Sequence, residues 1–195
     1  MTMQEVHSFL DLLAMLAAEP RTDALVTLLI IAGIIDYRTY RIPNWLTLSG
    51  ALFGLVYSAL DSNIHHGFLW SLGGLGLGLL AMLPAYALRV MGAGDVKLMA
   101  MVGAFLGYTG IPLAILCTFI AGGIAALGFA SCRGVLGRML VNVKDIASTA
   151  AFSVFGGMQP DLAMRRGASI GRLPYGVSIA IGTIAYVLAS QLGYL

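Results

Sequence analysis

The chain has 195 residues, of which 59% are hydrophobic and only 10% charged, and its formal net charge is +2. A mean hydropathy of +0.90 excludes an ordinary water-soluble domain and predicts an all-α, polytopic membrane helix bundle. So small a net charge gives no basis for nucleic-acid binding, and the two cysteines, Cys117 and Cys132, form neither a metal-type pair nor a disulfide framework.

Taken in chain order, residues 1–21 carry Glu5, Asp11 and Glu19 and lack the basic start and small-residue cleavage site of a signal peptide. They are predicted to be kept as an extramembrane or interfacial segment. A membrane crossing needs roughly 20 apolar residues for about 30 Å of hydrocarbon, and such stretches fall at 22–36, 44–60, 67–89, 94–111, 112–132 and 173–193. About six transmembrane helices are therefore expected. Pro43 and Pro112 suit the first turns of the second and fifth, where a missing N–H costs nothing. The segment 61–67, with His65 and His66, reads as a solvated hairpin loop, and Thr109-Gly110-Ile111-Pro112 as a very short one. Arg89 and Pro112 are so close that a full fourth crossing must begin near Gly94, which draws Asp95 into the membrane edge.

Gly50-x-x-x-Gly54, Gly74-x-x-x-Gly78 and Gly103-x-x-x-Gly107 have the small-residue spacing that lets helices approach closely in lipid. With 25 glycines, such matches also arise by chance. The segment 133–172 is the large extramembrane loop. Within it Leu136, Met139, Leu140, Val143, Ile146, Ala147 and Ala150 recur at helical spacing, as in a helix lying in the membrane interface. That helix either roofs the bundle or is a connector held on anionic lipid by its arginines.

Basic residues favour the cytoplasmic side of short loops. All but Arg21 of the 11 Lys and Arg fall in the first, third and fifth loops or at their edges. This orientation puts both termini outside the cytoplasm and brings Asp36 and Asp95 to the same, cytoplasmic face. His65 and His66 then lie on the opposite face and are not a ligand set.

Acids at the edge of apolar runs are costly, and one retained there has a task or a partner. Two carboxylates that approach closely cannot both ionise cheaply, so they share a proton and titrate as a unit. The charged member can take a proton from water while the protonated one polarises a carbonyl, which is acid–base amide hydrolysis without a covalent intermediate. Glycines at 92 and 94 suit this because they allow the backbone to approach a substrate strand.

The Asp36 segment with its downstream Ile42-Pro43-Asn44, the run Gly92-Ala93-Gly94-Asp95-Val96-Lys97 opening a helix, and Pro174-Tyr175-Gly176 at the last helix together resemble the type IV prepilin peptidases. The similarity is greatest to the short form associated with Tad/Flp pili, and covers roughly residues 24–193 as one integral-membrane peptidase domain. The resemblance implies an aspartic, Gly-x-Gly-Asp-type endopeptidase of the bacterial inner membrane. Such an enzyme removes the short basic leader of a prepilin or pseudopilin at the cytoplasmic side, with Asp36 and Asp95 as the catalytic pair. Long forms of that family carry paired Cys-x-x-Cys motifs in a cytoplasmic domain linked to N-methylation. Here the 37–43 loop is too short to hold one and the cysteines are unpaired, so cleavage without methyl transfer, and without zinc or another cofactor, is expected.

The supporting residues allow two readings each. Lys97 either attracts a substrate carboxylate or tunes the pair, or simply marks a cytoplasmic helix end; Arg38 and Arg41 share that ambiguity. Asn44 hydrogen-bonds near the site or caps a turn. Gly92, Gly94, Pro174 and Tyr175 complete the set of candidate binding or supporting positions. Two other classes compete: an ion- or solute-coupled transporter, which would carry paired broken helices and an internal repeat, and a noncatalytic membrane component of a pilus or secretion assembly. Presenilin-like proteases share the Gly-x-Gly-Asp theme, but their Pro-Ala-Leu element is missing.

Overall fold

The computed structural model describes residues 20–60, 67–88, 90–132 and 174–193, and the expected N-terminal segment, the His65/His66 loop and the interfacial helix within 133–172 lie outside them. All regular structure among the described residues is helical. The helices are α1 (Pro20–Thr39), α2 (Asn44–Leu60), α3 (Phe68–Ala87), α4 (Ala93–Cys132) and α5 (Tyr175–Gln191). By length and composition, Phe68–Ala87 and Ala93–Phe129 could each cross a membrane, while Asn44–Leu60 and Tyr175–Gln191 are shorter apolar helices.

Helix α4 is broken within its length. Gly107 has φ 65° and ψ −178°, outside helical space, and splits the element into limbs 93–106 and 108–132. The neighbours of each limb reveal the direction of the chain. Along the first limb, Met99 meets Gly78 and Gly103 meets Gly74, so it runs antiparallel to α3. Along the second, Gly110 meets Tyr186, Thr118 meets Gly182 and Gly122 faces Ser178, so it runs antiparallel to α5. Helix α5 is in turn antiparallel to α1, since Gly33 faces Ala180 and Asp36 meets Gly176. Arg21 near the start of α1 donates to the carbonyl of Ala104 at 3.2 Å, so α1 opposes the first limb as well. The limbs therefore point in opposite directions and the chain reverses at Gly107.

The reversal falls earlier than the turn expected at Thr109–Pro112. Pro112 does not open the helix but lies inside it, near the start of the second limb. That combination of positive φ and extended ψ is essentially confined to glycine and costs another residue about 1–3 kcal/mol, and a side chain at 107 would also run into the Trp70 indole. Trp70 fixes the corner further by donating from Nε1 to the Thr109 hydroxyl at 3.1 Å.

The first limb forms the centre of the bundle. Val96, Leu98, Met99, Met101, Val102, Ala104 and Phe105 are all buried. All three Gly-x-x-x-Gly pairs mark contacts with or along it: Gly50 lies against Met101, Gly54 against Ala104, Gly78 against Met99, and Gly74 against Gly103 and Gly107. At Gly74 and Gly103 the two backbones touch, so neither position has room for a methyl group. Such approach substitutes for the hydrophobic drive that lipid does not provide. Outward faces are as apolar as the interior, with Leu48, Leu52, Leu69, Leu80, Leu116 and Ile124 all exposed.

Candidate active site

Asp36 occupies the last turn of α1, where a carboxylate meets the negative end of the helix dipole. Its side chain points away from that end, to the start of α5. There the amide of Gly176 donates to Asp36 Oδ2 at 2.8 Å. The first amides of a helix have no intrahelical acceptor and carry the positive end of the dipole, so α5 presents a natural anion seat. Asp36 fills it and is 5% exposed.

Asp95 is held by the same chemistry within its own helix. Gly92 precedes α4, its amide donates to Asp95 Oδ2 at 3.0 Å, and its carbonyl accepts from the Asp95 amide at 3.2 Å. This is the return half of a capping box, with aspartate in the third helical position reaching back to the cap amide. Asp95 is 7% exposed. Each aspartate thus has one oxygen, Oδ2, pinned by a backbone amide at a helix start. At Asp36 the next amide of α5, that of Val177, adds to the same seat. Ile42 lies against both Gly94, the neighbour of Asp95, and Gly176, the partner of Asp36, so the two carboxylates stand at one end of the bundle.

Between the two helix starts runs the turn 40–43. Tyr40 has φ 51° and its amide donates to the Asp36 carbonyl at 2.8 Å, a left-handed helix stop. Thr39 Oγ1 lies 2.8 Å from the Ile35 carbonyl and 3.0 Å from that of Arg41, which closes the corner. The chain then doubles back so that Ile42 is buried beside Gly94 and Gly176, and Pro43 leads into α2.

Of the supporting candidates, Lys97 and Asn44 are brought together: the ammonium donates to Asn44 Oδ1 at 2.9 Å, linking the starts of α2 and α4. Both are exposed. Pro174 is the residue before α5, and Tyr175 opens the helix, half-buried. Arg38 and Arg41 are exposed. Gly92 serves as a donor to Asp95, and Gly94 is covered by Ile42, so the closeness that glycine permits there is used by the protein's own chain. Sequence reasoning did not single out Gly176 and Ile42 as parts of the site. For Gly176 a signal existed, since a proline followed by a helix start supplies unpaired amides.

Two buried carboxylates, each anchored at a helix start, thus lie at one end of an apolar helical bundle. Residues 24–127 match the type IV leader peptidase family, and the chain belongs to that family. The match includes both aspartates and stops before α5. The chain is also 31% identical over 108 residues to the prepilin leader peptidase/N-methyltransferase of Pectobacterium carotovorum subsp. carotovorum, an alignment covering 53% of this chain and 39% of that protein. No solved structure matches the chain.

Proposed function

We propose that the chain is a prepilin leader peptidase that cleaves the basic leader of a prepilin through water activated by Asp36 and Asp95. One observation carries this reading: amides at two helix starts hold Oδ2 of the two buried aspartates at the same end of the bundle. Pinning Oδ2 fixes the orientation of each carboxylate before substrate arrives, and such preorganisation lowers the cost of reaching the transition state. With one proton between them, the ionised aspartate accepts a proton from water as its oxygen attacks the scissile carbonyl. The protonated aspartate donates to the carbonyl oxygen, and the departing amine takes a proton as the C–N bond breaks.

The membrane setting of this reading is the bacterial inner membrane, crossed about six times, with both termini periplasmic and the dyad at the cytoplasmic side. The first limb of α4 rises about 20 Å, less than a hydrocarbon layer of roughly 30 Å. An Asp95 placed at its start therefore sits inside the membrane edge, next to the exposed Lys97. The substrate is a prepilin or pseudopilin of the Tad/Flp type, whose apolar segment stays in the lipid while its basic leader faces the cytoplasm. The short 37–43 loop and unpaired cysteines support cleavage without N-methylation, although the matched relative's name includes that second activity.

Purified protein in liposomes, given candidate prepilins and a methyl donor, tests the reading. A shortened pilin with an unmethylated new terminus is expected. Cleavage of no pilin-like substrate would overturn the assignment, and a methylated terminus would overturn the single-activity part.

A further inference from the structure

Ile42 lies where the two halves of the site meet. It sits outside any helix, in the turn between α1 and α2, and is nonetheless buried. Its backbone and Cβ cover Gly94: a methyl placed on Gly94 would stand 3.2 Å from Ile42 Cβ and 3.5 Å from its nitrogen. The far end of the side chain reaches Gly176, where a methyl would stand 2.9 Å from Ile42 Cδ1. Gly94 directly precedes Asp95, and Gly176 donates to Asp36. One apolar side chain thus spans the space between the backbone that carries Asp95 and the backbone that holds Asp36. Its branched Cβ restricts χ1, so the spacer is stiff. A polar or flexible residue there would give the two helix starts no defined separation.

We propose that Ile42 is a positioning residue that sets the gap between the Asp36 and Asp95 carboxylates. The proposal rests on the reading of those aspartates as the catalytic pair, but its geometry can be tested apart from catalysis. The readout is crosslinking by a short bifunctional thiol reagent between cysteines at 36 and 95, in membranes, with Cys117→Ala and Cys132→Ala removing the native thiols. Ile42→Ala, which removes the reach to Gly176, should let the helix starts close and raise the crosslinking rate. Ile42→Val, which loses only Cδ1, should give an intermediate rate and keeps the test sound if the alanine variant folds poorly. In the otherwise native enzyme, Ile42→Ala should lower kcat on the order of 10- to 100-fold with KM little changed, because misplacement of reacting groups by about 1 Å costs rate and not substrate binding. Crosslinking rates equal to that of the Ile42 parent in both variants would overturn the proposal. A raised crosslinking rate, together with no prepilin cleavage by the protein that keeps Ile42 and both aspartates, would uphold the spacer and sink the peptidase reading instead.

Discussion

The amide of Gly176 donates to Oδ2 of Asp36 at 2.8 Å across 140 residues of sequence. The bond ties the end of α1 to the start of α5, and makes the last helix part of a site whose aspartates both lie in the first half of the chain. It also explains why glycine stands at 176. A methyl there would lie 2.8 Å from Asp36 Oδ2 and 3.0 Å from Asp36 Cβ. Gly176→Ala should therefore push the carboxylate off its amide. We expect a loss of about 1–3 kcal/mol in stability, read by thermal unfolding in detergent, and a fall of tenfold or more in prepilin cleavage, since about 1.4 kcal/mol of transition-state stabilisation is tenfold in rate.

Gly107→Ala tests the reversal within α4. It places an L-residue at φ 65° against the Trp70 indole. The backbone alone costs about 1–3 kcal/mol, and the overlap with Trp70 adds to it. Unfolding of the variant in detergent should shift down accordingly, whereas Gly76→Ala, which has open space around it, should shift little.

Much of this architecture could be read from the sequence, and the exceptions share a cause. Composition predicted the helical bundle, glycine spacing marked the close helix contacts, and the cost of acids in an apolar chain singled out Asp36 and Asp95. Each of those signals is local. The turn was expected at Thr109–Pro112 because proline and glycine are strong local breakers, yet the corner is at Gly107, where α3 supplies Trp70 from a distant part of the chain. Gly176 and Ile42 were read as motif letters with no part in the chemistry, since their contacts form only when α1, α4 and α5 converge. The pairing of Lys97 with Asn44 is of the same kind.

That pairing gives a milder prediction. Both residues are exposed, and solvent weakens a hydrogen bond of this type even with one charged partner. Asn44→Ala should change stability by less than about 1 kcal/mol and leave the position of cleavage unaltered, as checked by the mass of the processed pilin. A shifted cleavage position would mean that the pair contacts the substrate.

A dyad that works with one shared proton has a distinctive pH dependence. Lowering the pH protonates both carboxylates and removes the base, while raising it ionises both and removes the acid. The kcat/KM profile in liposomes should be bell-shaped, with its two limbs belonging to the pair as a unit. A rate that climbs steadily into the alkaline range would show that no protonated carboxylate is needed.

If Asp36 and Asp95 together activate water, neither Asp36→Asn nor Asp95→Asn should leave cleavage intact. Each variant, matched to the unaltered protein in membrane level and helix content, is incubated with the same prepilin, and the new terminus is read by mass spectrometry. Either change should lower cleavage by about 100-fold or more, the scale of general acid–base catalysis. Cleavage at the unaltered rate by either variant would show that the two aspartates do not activate water together.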